Sequence, residues 1–384
     1  MFITILFILG FLGGNLLRVT LGDGIAIGLY DVAVGAVIIF SIFSGWKRRI
    51  YPTLTFPIAI FFLVCLASLI LNSTRFTFLQ LGLSSLYLVR LTLYALLYFA
   101  VVKGKTDGYI WLYRLWISLV GIAGLGFVQY FLYPDLRNLY YLGWDPHYYR
   151  IVSTILDPNF CGVLFALGVF LSLYLYRSKK LKMFLAGGGI LFLALLFTYS
   201  RASYLAFFVG LIVWFFGQEK RMLFGGILIA LLGFILFLPR PGGEGVKLER
   251  MASVVARVGN MTDALKVFRA SPIFGVGFNT LRYIKLTDED TGIESHAVSG
   301  FDMSILFILS TTGVVGLISY GYILFSLLKI MRNSEKSYSD MSRLIAVSIL
   351  MIGVHGFSVN TYFYPLVLIC LAVLVGAYEK KEIR

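Results

Sequence analysis

The feature that most constrains this chain is the recurrence of its apolar runs. Stretches long enough to cross about 30 Å of hydrocarbon as helix, at roughly 17–25 residues each, follow one another along all 384 residues. Hydrophobic residues make up 59% of the chain and charged ones 14%, and mean hydropathy is +0.88. That is more apolar surface than a soluble domain of this size can cover. The expected fold class is an all-α polytopic membrane protein with about twelve transmembrane helices.

The spans are placed at 1–17, 25–45, 53–72, 81–102, 109–133, 159–176, 183–199, 203–217, 222–238, 304–328, 344–358 and 361–378. Short loops join most of them, so residues 1–384 read as a single transmembrane helical domain. The first segment lacks a basic n-region and a small-residue cleavage site, and reads as a retained first helix. Cys65, Cys161 and Cys370 are scattered over different spans, a pattern that gives no disulfide framework and no paired metal-ligand spacing. They are expected to be small core residues.

Charge orients the bundle. The net charge of +14 sits in alternate short loops: Lys47-Arg48-Arg49, Lys103 with Lys105, 177–182, Lys220-Arg221, Lys329–Arg343 and Lys380–Arg384. The positive-inside rule makes these loops cytoplasmic, with both termini. The chain is therefore expected in a membrane with its functional face outward, binding bilayer rather than nucleic acid.

Two outward segments are long, 133–159 and the loop 239–303 between the ninth and tenth spans. Loops of that length are usually functional. In the second, Leu248–Ala270 places Met251, Val254, Val255, Val258, Met261, Leu265 and Phe268 largely on one helical face. An amphipathic helix at the outer surface or capping the bundle is expected. Arg240 to Lys285 holds eight basic and three acidic residues, whereas Asp288 to Asp302 holds five acidic and no basic ones. The basic half suits a polyanion, although the two halves also suit each other.

An outward site restricts the chemistry. Nucleotide donors are not normally present there, and neither a GxxxxGK[ST] loop nor a GxGxxG fingerprint after a strand is found. Group transfer then needs a donor already activated in the membrane, such as a lipid diphosphate, whose leaving group calls for fixed cations. Arginine suits that task, being always charged and able to grip phosphate oxygens bidentately. Arg201, in FTYSRASYLAFF, stands at the outer mouth between two apolar stretches. Arg90, in LSSLYLVRLTLYALL, lies mid-span and must face the bundle interior or a wet cavity. Acids are so scarce in the spans that pairing is not expected to explain it. His296, in ESHAVSG, can accept the proton of an attacking hydroxyl, while His355 lies in a span and is expected to pack or hydrogen-bond. The triplet Asp288-Glu289-Asp290 is a weak metal signal; no metal and no cofactor are expected.

Several of these pieces together resemble the bacterial O-antigen ligase and O-antigen polymerase family. FTYSRASYLAFFVGL is similar to its SRG-type helix start, YRIVSTILDPNF (149–160) to its R-x-S-[GT]-x-x-x-[DN]-P-N segment, and GFVQY (126–130) to its GxxQY helix end. Arg257, Ala264-Leu265 and SPIFGVG (271–277) resemble its R…AL…P-x-x-GxG loop, and His296 with TGVVGL (312–317) its closing block. The resemblance, over about residues 80–330, implies a GT-C-like membrane glycosyltransferase that takes glycans from a polyprenyl-diphosphate carrier to an acceptor hydroxyl, inverting and without metal. It implies diphosphate binding by Arg201 and Arg257, acceptor activation or positioning by His296, and substrate contacts by Arg90, Arg150, Asp157, Asn159, Arg250 and Arg269. Ala297 stands where asparagine commonly follows the histidine, and Met261 replaces the usual aromatic. Absence of an R-x10-G pattern tilts the resemblance toward ligases. The alternative is a transporter or flippase of anionic lipid-linked sugars, disfavoured because no halves-level repeat is seen.

Overall fold

The computed structural model describes residues 2–21, 25–46, 51–216, 251–285, 300–333 and 340–382, with short pieces at 237–238, 241–242 and 244–248 and single residues at 226 and 233. The described residues are mainly helical, with one small hairpin and irregular connections. Its helices are α1 Phe2–Gly13, α2 Leu29–Phe43, α3 Thr55–Leu71, α4 Phe78–Lys103, α5 Gly108–Leu132, α6 Pro158–Lys179, α7 Lys182–Leu196, α8 Arg201–Phe215, α9 Ala252–Ala270, α10 Leu281–Lys285, α11 Ser304–Asn333, α12 Asp340–Gly356 and α13 Pro365–Glu382. Among the described residues, four stretches, Phe78–Lys103, Gly108–Leu132, Pro158–Lys179 and Ser304–Met331, are long and apolar enough to cross a membrane, and α1, α2, α3, α7 and α8 are shorter apolar helices. The span expected at 222–238 lies almost wholly outside the described residues.

Local signals set the helix starts. Thr77 and Gln80 form a capping box at α4, and Asp107 and Asp157 cap α5 and α6 through backbone N–H groups. Proline at the first position of α6 removes a donor that would have no partner there. α6 is the most enclosed span and packs against α5, α7, α8 and α12. α13 runs along α4 and α5, and α11 along α3. The three cysteines are buried and form no disulfide.

Three departures from the sequence reading matter. The loop between the first two spans is a two-stranded antiparallel hairpin, β1 Arg18–Thr20 with β2 Ala26–Gly28. α1 therefore stops at Gly13, where Gly14 turns into the left-handed region at φ +49°. The basic end of α13 is also helical and enclosed: Lys380 donates to the carbonyls of Val101 and Gly104, and Glu379 accepts from Thr53 and Tyr98.

The third departure concerns Arg90, which does have an acid partner. Its Nε donates to Asp31 Oδ1 at 2.9 Å, its Nη2 pairs with Oδ2, and the Tyr94 hydroxyl joins the same carboxylate. Asp31 lies in the first turn of α2, inside the span expected at 25–45. A charge at this depth is costly alone, and the two meet because α2 packs on α4.

α11 is broken where TGVVGL places a glycine. Gly313 takes φ 67° and ψ −163°, which frees backbone groups on both sides. The 271–277 loop bonds them. The N–H groups of Val314 and Val315 donate to the Pro272 and Ile273 carbonyls at 2.9 and 3.3 Å, and the Ser310 and Thr311 carbonyls accept from Val276 and Gly277 at 2.9 and 3.2 Å. Ser68 Oγ faces the Phe274 and Thr311 carbonyls at 2.7 and 2.6 Å, binding α3 to the junction. Two motifs far apart in the family pattern are thus one structural unit.

A Cβ at Gly313 would lie 2.2 Å from the Ile273 carbonyl oxygen, on a backbone that L side chains rarely adopt. Strain alone costs about 1–3 kcal/mol. Gly313→Ala is expected to lower the thermal unfolding midpoint in detergent by several degrees. Gly321→Ala, whose added methyl meets nothing within 4 Å, is expected to leave it unchanged.

Candidate functional site

The centre of the site is the turn between α7 and α8. Tyr199 adopts φ 51° there, which leaves carbonyls of the turn outside any helix. Arg150 takes them: Nε donates to the Thr198 carbonyl at 2.8 Å and Nη2 to that of Tyr199 at 3.4 Å. Its neighbour Ile151 donates to the Phe197 carbonyl at 2.9 Å. Arg150 is only 5% exposed, so this expected substrate contact is spent largely on backbone.

Gln129 holds the segment that carries Arg150. Its Oε1 accepts from the N–H groups of Val152 and Ser153 at 3.0 and 3.2 Å, and Nε2 donates to the Arg150 carbonyl at 3.3 Å. Rings of Tyr130, Tyr149, Phe197 and Tyr199 pack around the join. The sequence marked Gln129 only within GFVQY; a glutamine at the end of an apolar helix is the signal that pointed to it.

The first turns of α6 and α8 meet beside this turn. Asp157 Oδ1 accepts from the backbone of Asn159 and Phe160 at 2.6 and 3.1 Å. Burial lifts the Asp157 carboxyl above its ordinary range, opposed by those two N–H groups. Asn159 Oδ1 accepts from Ser200 Oγ at 2.9 Å, and its carbonyl from Ser203 Oγ at 3.0 Å. Arg201 opens α8, and its Nη1 donates to the Leu248 carbonyl at 2.9 Å. That bond brings part of the long loop against the bundle.

Arg257 completes the cluster from α9. Burial draws its guanidinium below the ordinary arginine value, Asp302 and Asp157 oppose this, and the like charge of Arg201 adds to it. Asp302 is placed by a bond from its backbone N–H to Asn260 Oδ1 at 2.9 Å, and sequence reasoning had not singled it out. The C-terminal half of α9 packs on α11, where Ser310 Oγ donates to the Ala264 carbonyl at 3.1 Å. Met251, Val255, Val258 and Met261 of the expected apolar face are exposed.

The structure therefore brings together Arg201, Arg257, Asp157 and Asn159, with Arg150 behind them. Arg269 is exposed at the end of α9. Arg90 is tied to the cluster only indirectly: Nη2 donates to the Tyr30 hydroxyl at 3.2 Å, and Tyr30 donates to Asn15 Oδ1 at 3.3 Å. Asn15 Nδ2 then donates to the Tyr364 hydroxyl at 3.1 Å, and the Tyr364 ring stacks on Phe160 at 3.6 Å. Arg250 and His296 lie outside the described residues, as does the 288–290 triplet. No group of three or more candidate metal ligands occurs among the described residues.

Two half-buried guanidinium groups of like sign are stabilised by an anion placed between them, more strongly by one with two charges. Fold and site define a helical membrane protein with a cluster of arginines and carboxylates at one end of its bundle. Residues 186–321 match the family model described as O-antigen ligase, which supports assignment to that family and a role in glycan transfer within a membrane. No curated protein matches the chain. The matched stretch includes the α7–α8 turn, Arg201, Arg257, His296 and the broken start of α11.

If Arg150 serves the turn, an uncharged residue of similar shape must damage the fold although it removes a buried charge. Arg150→Met is expected to cost about 2–3 kcal/mol, the range for lost hydrogen bonds to a charged group, measured by denaturation of the purified protein. A change within about 0.5 kcal/mol, as for a typical surface substitution, would show instead that the turn holds without it.

Proposed function

We propose that the protein is a glycosyltransferase that moves a glycan from a polyprenyl-diphosphate carrier to an acceptor hydroxyl, as an O-antigen ligase or a related polysaccharide polymerase. The observation that carries this reading is the approach of Arg201 and Arg257 inside the family-matched stretch. In this reading the chain has twelve spans in a GT-C-like arrangement in the bacterial inner membrane. Both termini are cytoplasmic, and the cluster faces outward.

The chemistry is a single displacement. The acceptor oxygen bonds to the anomeric carbon as the bond from that carbon to the diphosphate oxygen breaks, which inverts the centre. The electron pair leaves with the diphosphate, and the hydroxyl proton passes to His296 and then to water. Arg201 and Arg257 bind the diphosphate as its charge grows, a stabilisation larger in the transition state than in the ground state. The leaving group is a stable anion, so fixed cations suffice and the reaction is metal-independent. Asp157 and Asn159 shape the floor, Arg250 and Arg269 supply further positive charge toward the donor, and Arg90 supports the neighbouring wall. The apolar, exposed face of α9 lies against the outer leaflet, where the lipid-linked donor and a glycolipid acceptor both reside.

Transfer by the purified protein in liposomes, with a polyprenyl-diphosphate glycan and candidate acceptors, tests this. Arg257→Ala is expected to lower turnover by about 10²–10³-fold, comparable to loss of a transition-state donor elsewhere, and unimpaired transfer would remove Arg257 from its role. His296→Ala is expected to abolish acceptor-dependent product while leaving donor binding intact. Movement of the lipid-linked glycan across the bilayer without any product would favour the transporter reading.

A further inference from the structure

His355 is fully buried in α12, at a helix interface built mainly of apolar side chains: Val347 and Met351 of α12 are enclosed, as are Phe207 and Leu211 of α8. Packing alone asks for a leucine or methionine there. The imidazole instead has a hydroxyl opposite each nitrogen. Nε2 lies 3.2 Å from Ser203 Oγ, and Nδ1 lies 2.6 Å from Thr361 Oγ1. Each hydroxyl faces a backbone carbonyl in turn, Asn159 at 3.0 Å and Val359 at 3.1 Å. Every polar atom of the chain Asn159–Ser203–His355–Thr361–Val359 thus has a neighbour, as a buried network requires.

The ends of this chain give it meaning. Ser203 is in the same turn as Arg201 and also bonds Ser200, the residue that caps α8. Asn159 is in the first turn of α6, beside Asp157. Thr361 opens the 3₁₀ turn that leads through Tyr364 into α13. One side chain therefore fixes the first turn of α8, which Arg201 opens, between α6, α12 and the 361–363 turn.

Building on the proposed function, we infer that His355 is a positioning residue of the diphosphate site. It acts through Ser203 to set where Arg201 begins α8, and so how closely Arg201 and Arg257 approach. Buried and with both nitrogens occupied, it does not touch the substrate. Its part is distinct from that of His296.

The test is binding of a polyprenyl diphosphate, without glycan, to the purified protein in detergent, each variant scored per folded molecule by size-exclusion profile. His355→Ala is expected to weaken binding about tenfold, and His355→Gln, which reaches one of the two hydroxyls, to recover part of it. Ser203→Ala removes the same bond with the ring kept and is expected to weaken binding similarly, which covers the case of His355→Ala failing to fold. In an Arg201→Ala background the effect of His355→Ala is expected to vanish, because the two act in series. A merely structural histidine would lower the melting temperature yet leave binding by the folded fraction at wild-type strength. That outcome, or a His355→Ala effect undiminished in the Arg201→Ala background, overturns the inference. If the wild-type protein does not bind polyprenyl diphosphate at all, the proposed function fails first, and this inference with it.

Discussion

Backbone polar groups at membrane depth have no water to turn to, and this constraint governs the molecule. Helix is the default answer, so each place where helix stops must find other partners. At Gly313 the partners are the carbonyls and N–H groups of 272–277. At the α7–α8 turn they are the guanidinium of Arg150 and the backbone of Ile151. Both breaks lie at the same end of the bundle as the cluster of Arg201, Arg257, Asp157 and Asp302. Irregular backbone is tolerated in a membrane protein where it is buried in protein or lines a cavity, and here it carries the charged residues.

The two arginines differ in how they are held. Arg201 is part of a helix start braced by α6, α12 and the 198–200 turn, so its backbone has little freedom. Arg257 belongs to α9, which touches the bundle mainly through its C-terminal half. One cation is fixed and the other rides on a helix with an exposed apolar face. Under the proposed function, the fixed arginine would set the position of the diphosphate and the second would complete it from α9.

Much of the architecture was legible in the chain. Apolar run length gives nearly every helix that the structure describes, because the cost of exposing backbone to hydrocarbon dominates local preference. The caps at Thr77, Asp107, Asp157 and Ser200 are equally local. What escaped was pairing at a distance. Asp31 is separated from Arg90 by a whole helix, and no periodicity in either segment points to the other. Gln129 and His355 likewise reveal their bonds only once three helices are together. Residues 14–17 and 25–28 misled because apolar residues flanking a loop read as the ends of spans, whereas Gly14 and the bonds of Asn15 turn the chain away. Of the site, Arg201 and Arg257 stood out as charges in apolar or amphipathic settings, while Asp302 was one acid among five in its stretch.

The pairing of Arg90 with Asp31 also bears on how the chain is made. Membrane helices enter the bilayer in chain order, and an arginine at mid-span resists entry by about 3 kcal/mol on insertion scales. Its counter-charge is synthesised first, on α2, with α3 between them. α2 must therefore wait beside the point of entry until α4 arrives, rather than diffuse into the lipid. The acid acts as a docking point for a helix not yet made, and the arginine-bearing span is drawn in by one already there.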